Sequence, residues 1–302
     1  MSFLGRERTM TEMNGREGSA DAASFVRSCV VHGNRMVYYD RGAGTPLVLV
    51  HGMFGDHMDW AAVLEPLAEH YRVISVDLPG FGESDKPEGG YGPELFVESL
   101  EGLRSELGLQ DVVLLGNSFG GLVSTLYAEA HAERVRALVL VSSAGMRIYS
   151  TEEQALAAGR FSEENLLALE PQYIEPLFSL NFARLTPQRA EYLERQKGKL
   201  GRSDLRAYVH ALTQCAVLAF AIPVVPLLEK MKAPVLLLWG ENDPVFPPEL
   251  AKSALTVLPG ARLALIPRAS HMPQMDGPEE FVGAVRGFLD DTSGGNDCKQ
   301  MA

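Results

Sequence analysis

The chain has 302 residues, 46% of them hydrophobic and 22% charged, which suits a globular protein with one large core. A formal net charge of −12 argues against nucleic acid or an anionic membrane as a partner, because such a surface repels phosphates. Cys29, Cys215 and Cys298 are scattered and odd in number, so they form neither a disulfide framework nor a metal-ligand spacing.

Residues 1–24 are polar, aperiodic and without an apolar core of signal-peptide length, and are read as a disordered leader. Two β-rich runs follow, residues 25–31 and 36–39, with the turn Gly33-Asn34 between them, so an antiparallel hairpin is expected. Six further runs, 47–50, 73–76, 112–115, 137–141, 235–239 and 263–266, are nearly continuous in Val, Leu and Ile. Parallel strands covered on both faces read this way. Helical patterns fill the gaps at 60–70, 93–107, 120–130, 248–258 and 278–289.

Strand–helix alternation predicts an α/β fold, a mostly parallel sheet of eight strands flanked by helices. The alternation fails once. From 146 to 232 there is no convincing strand but several helix-like segments punctuated by prolines, as expected of a helical lid over the strand ends. The predicted organisation is a core of 25–145 and 233–291, a lid of 146–232, and a frayed tail from 292 to 302. No apolar run approaches the roughly 18 residues of a membrane span. A soluble, cytoplasmic protein is expected, with a homodimer allowed.

Gly116-Asn117-Ser118-Phe119-Gly120-Gly121 lies between a predicted strand and a predicted helix. This is the G-x-S-x-G nucleophile elbow in its required context. Such a turn strains the serine and puts it at a helix N-terminus, where free N–H groups favour negative charge. The Phe119 N–H is then one oxyanion donor. The second is expected from the loop after the third strand, His51-Gly52-Met53-Phe54-Gly55, with the Met53 N–H as donor and His51 structural.

A serine needs a base, and in elbow hydrolases the order along the chain is nucleophile, acid, histidine. Among seven histidines only His271 follows the last core strand. The acid should follow the run 235–239, where Asp243 sits before a proline and Glu241 is its rival. The preceding strand ends Val141-Ser142-Ser143-Ala144-Gly145, without a carboxylate. Phe54, Phe178, Phe182, Phe220 and Met272 are candidate substrate contacts, and Tyr208, His210 and Cys215 read as packing or surface groups. Neither metal nor organic cofactor is called for.

From about Phe25 to Leu289 the chain resembles the α/β-hydrolase superfamily, in particular lidded bacterial serine esterases. The resemblance rests on His51-Gly52, Asp77-Leu78-Pro79-Gly80-Phe81-Gly82-Glu83-Ser84, the elbow at Ser118, residues 240–243 and His271. It implies hydrolysis of a small to medium, largely apolar carboxylic ester. The elbow is also similar to that of hydrolases cleaving carbon–carbon bonds in ring-fission products of aromatics. Those usually carry a tryptophan after the histidine and a Gly-Pro-Gly oxyanion loop; here Met272 and Met53-Phe54-Gly55 stand instead. Carbon–carbon hydrolysis of a vinylogous diketone is therefore the alternative, beside a ligand receptor or an acyltransferase on the same scaffold.

Overall fold

A computed structural model describes residues 23–184 and 186–297. Its strands are β1 (Val26–Val31), β2 (Asn34–Arg41), β3 (Pro46–Val50), β4 (Arg72–Val76), β5 (Val112–Asn117), β6 (Val135–Val141), β7 (Val235–Gly240) and β8 (Arg262–Ile266). They form one eight-stranded sheet in the order β1-β2-β4-β3-β5-β6-β7-β8. From β4 onward neighbours pair in parallel, whereas β1 pairs β2, and β2 pairs β4, in antiparallel fashion. The expected edge hairpin and mostly parallel sheet are present. The hairpin turn is His32-Gly33, one residue earlier than expected, with φ of 49° and 82°. Both corners of this tight turn need positive φ, and Gly33 takes it at no steric cost.

Alternation along each strand decides which layer a side chain enters. On β5, Val112 and Leu114 join the cluster packed under α2 (Pro93–Glu106) and α3 (Phe119–Ala130). Val113 and Leu115 point the other way, towards α1 (Ala61–Ala68) and α12 (Pro278–Asp297). All six residues of β5 are buried, so the strand needs apolar side chains on both faces. Leu115→Ala, emptying a fully buried position, would cost on the order of 3 kcal/mol.

Among the described residues between β6 and β7 there are six α-helices: α4 (Thr151–Arg160), α5 (Glu163–Leu167), α6 (Pro171–Phe178), α7 (Pro187–Lys199), α8 (Leu205–Ala221) and α9 (Val225–Leu228). Local chemistry starts them. Ser150 and Glu153 make a reciprocal capping box at α4, and Ser162 and Thr186 accept from the third backbone N–H beyond them at α5 and α7. Two short helices, α10 (Glu249–Leu255) and α11 (Pro273–Asp276), flank β8.

The proposed leader lies outside the described residues except for Ala23 and Ser24, which open a 3-10 turn at Ala23–Phe25. Within the stretch read as a tail, α12 continues through Thr292 to Asp297. Thr-Ser-Gly-Gly-Asn-Asp is a poor helix former on its own, but extending a formed helix is cheap compared with nucleating one. Residues 298–302 lie outside the described residues.

Candidate active site

Ser118 has φ 53° and ψ −116°, a region that non-glycine residues seldom occupy. The turn is held by Ser118 N donating to Val141 O at 2.9 Å, while Gly121 N and Ala144 N both donate to Ser118 O at 3.0 Å. Its neighbours must be small. A Cβ on Gly116 would lie 2.3 Å from Gly120 O, and one on Gly120 would lie 2.1 Å from Val50 O. Phe119 begins α3, so its N–H has no carbonyl of its own helix to bond. Its ring is buried against Phe96, away from the cavity.

After β3 the chain makes a second tight turn, closed by Gly55 N donating to Gly52 O at 3.1 Å. Phe54, at its second corner, has φ 65°, which makes this a type II turn. His51 anchors the start of the turn. Its Nε2 accepts from Leu78 N at 3.1 Å and its Nδ1 lies 2.7 Å from Gly52 O, so the ring is neutral with the proton on Nδ1. Burial drives its pKa down, consistent with that form. The loop after β4 is structural too. Asp77 accepts from His57 N at 2.7 Å and from Glu83 N at 2.8 Å, and Ser84 Oγ donates to Asp77 O at 2.7 Å.

His271 and Asp243 lie in contact. Nδ1 of His271 lies 3.0 Å from Asp243 Oδ2, and both residues are buried. Asp243 Oδ1 accepts from Val245 N at 2.9 Å and Phe246 N at 3.0 Å, which fixes the carboxylate in its turn. Glu241 is exposed and accepts from Arg268 N at 3.2 Å instead. The Phe246 ring meets the imidazole edge-on, 5.3 Å between centroids.

Ser118, His271, Met53, Phe54, Phe178, Phe220 and Met272 line one cavity of about 680 Å³. Phe182 does not. It is buried against Tyr192, 5.2 Å between ring centroids, in a satellite cluster with Ile174, Leu193 and Met275. Aromatic spacing alone cannot tell which of two nearby phenylalanines turns inward. Of the residues read as packing groups, Tyr208 donates to Phe54 O at 3.3 Å, His210 lies 2.7 Å from Glu163, and Cys215 is buried.

Three contributors escaped the sequence. Asn117 donates from Nδ2 to Val141 O at 3.1 Å and to His271 O at 3.3 Å, tying the elbow to the histidine loop. Asp276 accepts from Ser270 N at 2.8 Å and Ala183 N at 2.9 Å, joining that loop to the inserted helices. The third is a buried ionic cluster between α7 and the 3-10 turn His57–Trp60. Lys199 Nζ lies 2.9 Å from Asp56 Oδ2 and also donates to Phe54 O, while Arg195 Nη2 donates to Asp59 Oδ1 at 2.9 Å. Burial pushes the Asp56 pKa up, but Lys199 and Arg195 outweigh it and hold the carboxyl well below the usual range. Asp59 goes the other way, to about 7, through burial and the neighbouring Asp56 charge. The only signal of this cluster in the sequence is a pair of acids after a Gly-rich turn, which reads as solvated surface.

Among the described residues no group of His, Cys, Asp and Glu is arranged to hold a metal ion. No helix among them is long and apolar enough to cross a membrane.

The family model of the alpha/beta hydrolase fold matches residues 45–278. A 2-hydroxy-6-oxo-2,4-heptadienoate hydrolase of Pseudomonas putida is 30% identical over 273 residues, covering 88% of this chain and 97% of that protein. The dihydrolipoyllysine-residue acetyltransferase component of an acetoin cleaving system, also from Pseudomonas putida, is 33% identical, covering 90% and 72%. Among solved structures, a thermophilic esterase from Thermogutta terrifontis superposes with a TM-score of 0.76 at 28% identity, covering 88% of this chain and 98% of that one.

Proposed function

The chain belongs to the alpha/beta hydrolase fold family, and from that premise we propose that it is a serine hydrolase cleaving a small to medium, largely apolar carboxylic ester through an acyl-enzyme on Ser118. One observation carries the reading. A serine on a strained strand-to-helix turn and a histidine already paired with a buried carboxylate line the same cavity.

In this mechanism Ser118 Oγ bonds to the ester carbonyl carbon while His271 Nε2 takes its proton. Asp243 holds Nδ1–H and stabilises the imidazolium. The negative charge that forms on the carbonyl oxygen falls to the N–H groups of Phe119 and Met53, each such donor being worth roughly 10²–10³ in rate. Collapse breaks the bond to the alkoxide, which leaves with the His271 proton. Water then adds to the acyl carbon, passing a proton to His271, and the acid departs as Ser118 recovers it. The apolar wall formed by Phe54, Phe178 and Phe220 supports a hydrocarbon chain as substrate.

Hydrolysis of a carbon–carbon bond is the second reading, favoured by the extent of the match to the Pseudomonas putida heptadienoate hydrolase. A series of p-nitrophenyl esters of increasing chain length, run beside a coloured ring-fission product, separates the two. Steady ester turnover, lost by several orders of magnitude in Ser118→Ala, with a single fluorophosphonate adduct on Ser118, is expected. Turnover of the coloured diketone alone would transfer the assignment to the second reading.

A further inference from the structure

The cavity wall is apolar over most of its extent, yet it contains a buried carboxylate that the chemistry at Ser118 does not use. Asp59 lines the cavity with its side chain only 3% exposed. Oδ1 is engaged by Arg195 at 2.9 Å. Oδ2 reaches the Gly52–Gly55 turn, where a Cβ on Gly55 would fall 2.3 Å from it, and no described residue donates to it. A carboxylate oxygen at a buried surface ordinarily has a donor. Tyr192, on α7, lines the cavity beside it, near enough that the Asp59 charge helps raise the phenol pKa.

We propose that Asp59, flanked by Tyr192, is a polar subsite of this cavity that selects an ester carrying a hydroxyl group on its chain. This rests on the ester-hydrolase reading and adds the substrate class to it. Charge balance decides what the subsite takes. Asp56 and Asp59 face two cations, Arg195 and Lys199, both from α7. A substrate ammonium would bring a third positive charge against them. A substrate carboxylate would meet two acids whose counter-ions are already engaged. A neutral donor upsets neither, and a hydroxyl can give its proton to Oδ2 while leaving the Arg195 bond on Oδ1 intact. Sites built around such a bond discriminate against analogues lacking the hydroxyl, because the buried acceptor is then left without its donor.

The carboxylate is the better acceptor, so the preference should depend on its ionisation. Its pKa of about 7 is set by burial and Asp56, opposed by Arg195 and Lys199; Tyr192 and Tyr208 on the inserted helices, and His57 with Asp77 behind Asp56, complete the surrounding groups. Preference for the hydroxylated ester should strengthen as pH rises through that value.

The test uses matched p-nitrophenyl esters of four to eight acyl carbons, with and without a hydroxyl at successive positions, and alkyl butyrates paired in the same way. At one position the hydroxylated ester should have a kcat/KM about tenfold above its partner, with the ratio rising between pH 6 and 8. Asp59→Leu should abolish the ratio, and Asp59→Asn, which stays isosteric if the leucine variant fails to fold, should reduce it and flatten its pH dependence. A wild-type enzyme with no preferred hydroxyl position, or a preference unchanged in both variants, overturns the subsite. If no ester is turned over, the ester-hydrolase reading has failed and the subsite is judged by binding. The same pairs, titrated into Ser118→Ala by calorimetry, should then show tighter binding of the hydroxylated partner that Asp59→Leu removes; equal binding overturns it.

Discussion

Lys199, the last residue of α7, donates from Nζ to the carbonyl oxygen of Phe54, at the second corner of the Gly52–Gly55 turn. Tyr208 on α8 donates to the same oxygen at 3.3 Å. Two inserted helices thus grip the Phe54–Gly55 peptide, at the far end of the tight turn that begins with the Met53 N–H. Lys199→Met should lower kcat by about tenfold with little change in KM, since a misplaced oxyanion donor is felt in the transition state. Asp56 would keep the Met58 N–H at 3.0 Å but only one cation, Arg195 at 3.5 Å, so stability should also fall, by on the order of 3 kcal/mol. Lys199→Arg should recover part of both. Steady-state kinetics and thermal denaturation of the two variants check this.

Asp243 and Glu241 lie two residues apart, but only Asp243 reaches the imidazole. Asp243→Asn should leave the fold intact and reduce kcat by roughly 10³- to 10⁴-fold, because the amide favours the wrong histidine tautomer. Glu241→Gln should cost less than about threefold, since its partner is a single exposed backbone N–H. Reversal of the two losses would reject Asp243 as the orienting acid.

Phe220 and Phe182 make a matched contrast. Phe220 lines the cavity, packed edge-on against Tyr149 at 4.9 Å between centroids, whereas Phe182 is turned into the satellite core. Phe220→Ala should shift ester chain-length preference towards longer acyl groups with a small loss of stability. Phe182→Ala should instead lose on the order of 3 kcal/mol and leave the chain-length ratios unchanged.

Asp59 has a stability signature independent of any substrate. Its folded pKa, about 7, lies above its unfolded value, so the folded state binds the proton more tightly. That contribution is complete below the unfolded pKa and is lost as pH rises through 7. The melting temperature of Asp59→Asn minus that of wild type should therefore increase from pH 4 to pH 7 and level off above. The asparagine amide oxygen can still accept from Arg195, and the change in that bond as Asp59 ionises is already contained in the raised pKa. A difference that is flat with pH, or falls, would contradict the raised pKa.

What the sequence determined by itself is the part set by local patterning and by strict steric demands. Continuous Val, Leu and Ile runs mark strands covered on both faces, and β5 is buried at every position. The glycines at 116 and 120 mark Ser118, because a side chain at either would collide with backbone within 2.3 Å. Chain order then singles out Asp243 and His271, and Asn242 N donating to Ala269 O at 2.9 Å brings their loops together. The tertiary structure decided everything that depends on which way a side chain turns after distant segments pack. Phe178 and Phe182, four residues apart, both pack on Tyr192, yet Phe178 also lines the cavity and Phe182 does not. Asp56 and Asp59 look like solvated acids until Arg195 and Lys199, more than 130 residues away, close over them. Burial and counter-charge, not residue type, separate one carboxyl held ionised from another that keeps its proton to about pH 7, and those are properties of the packed chain.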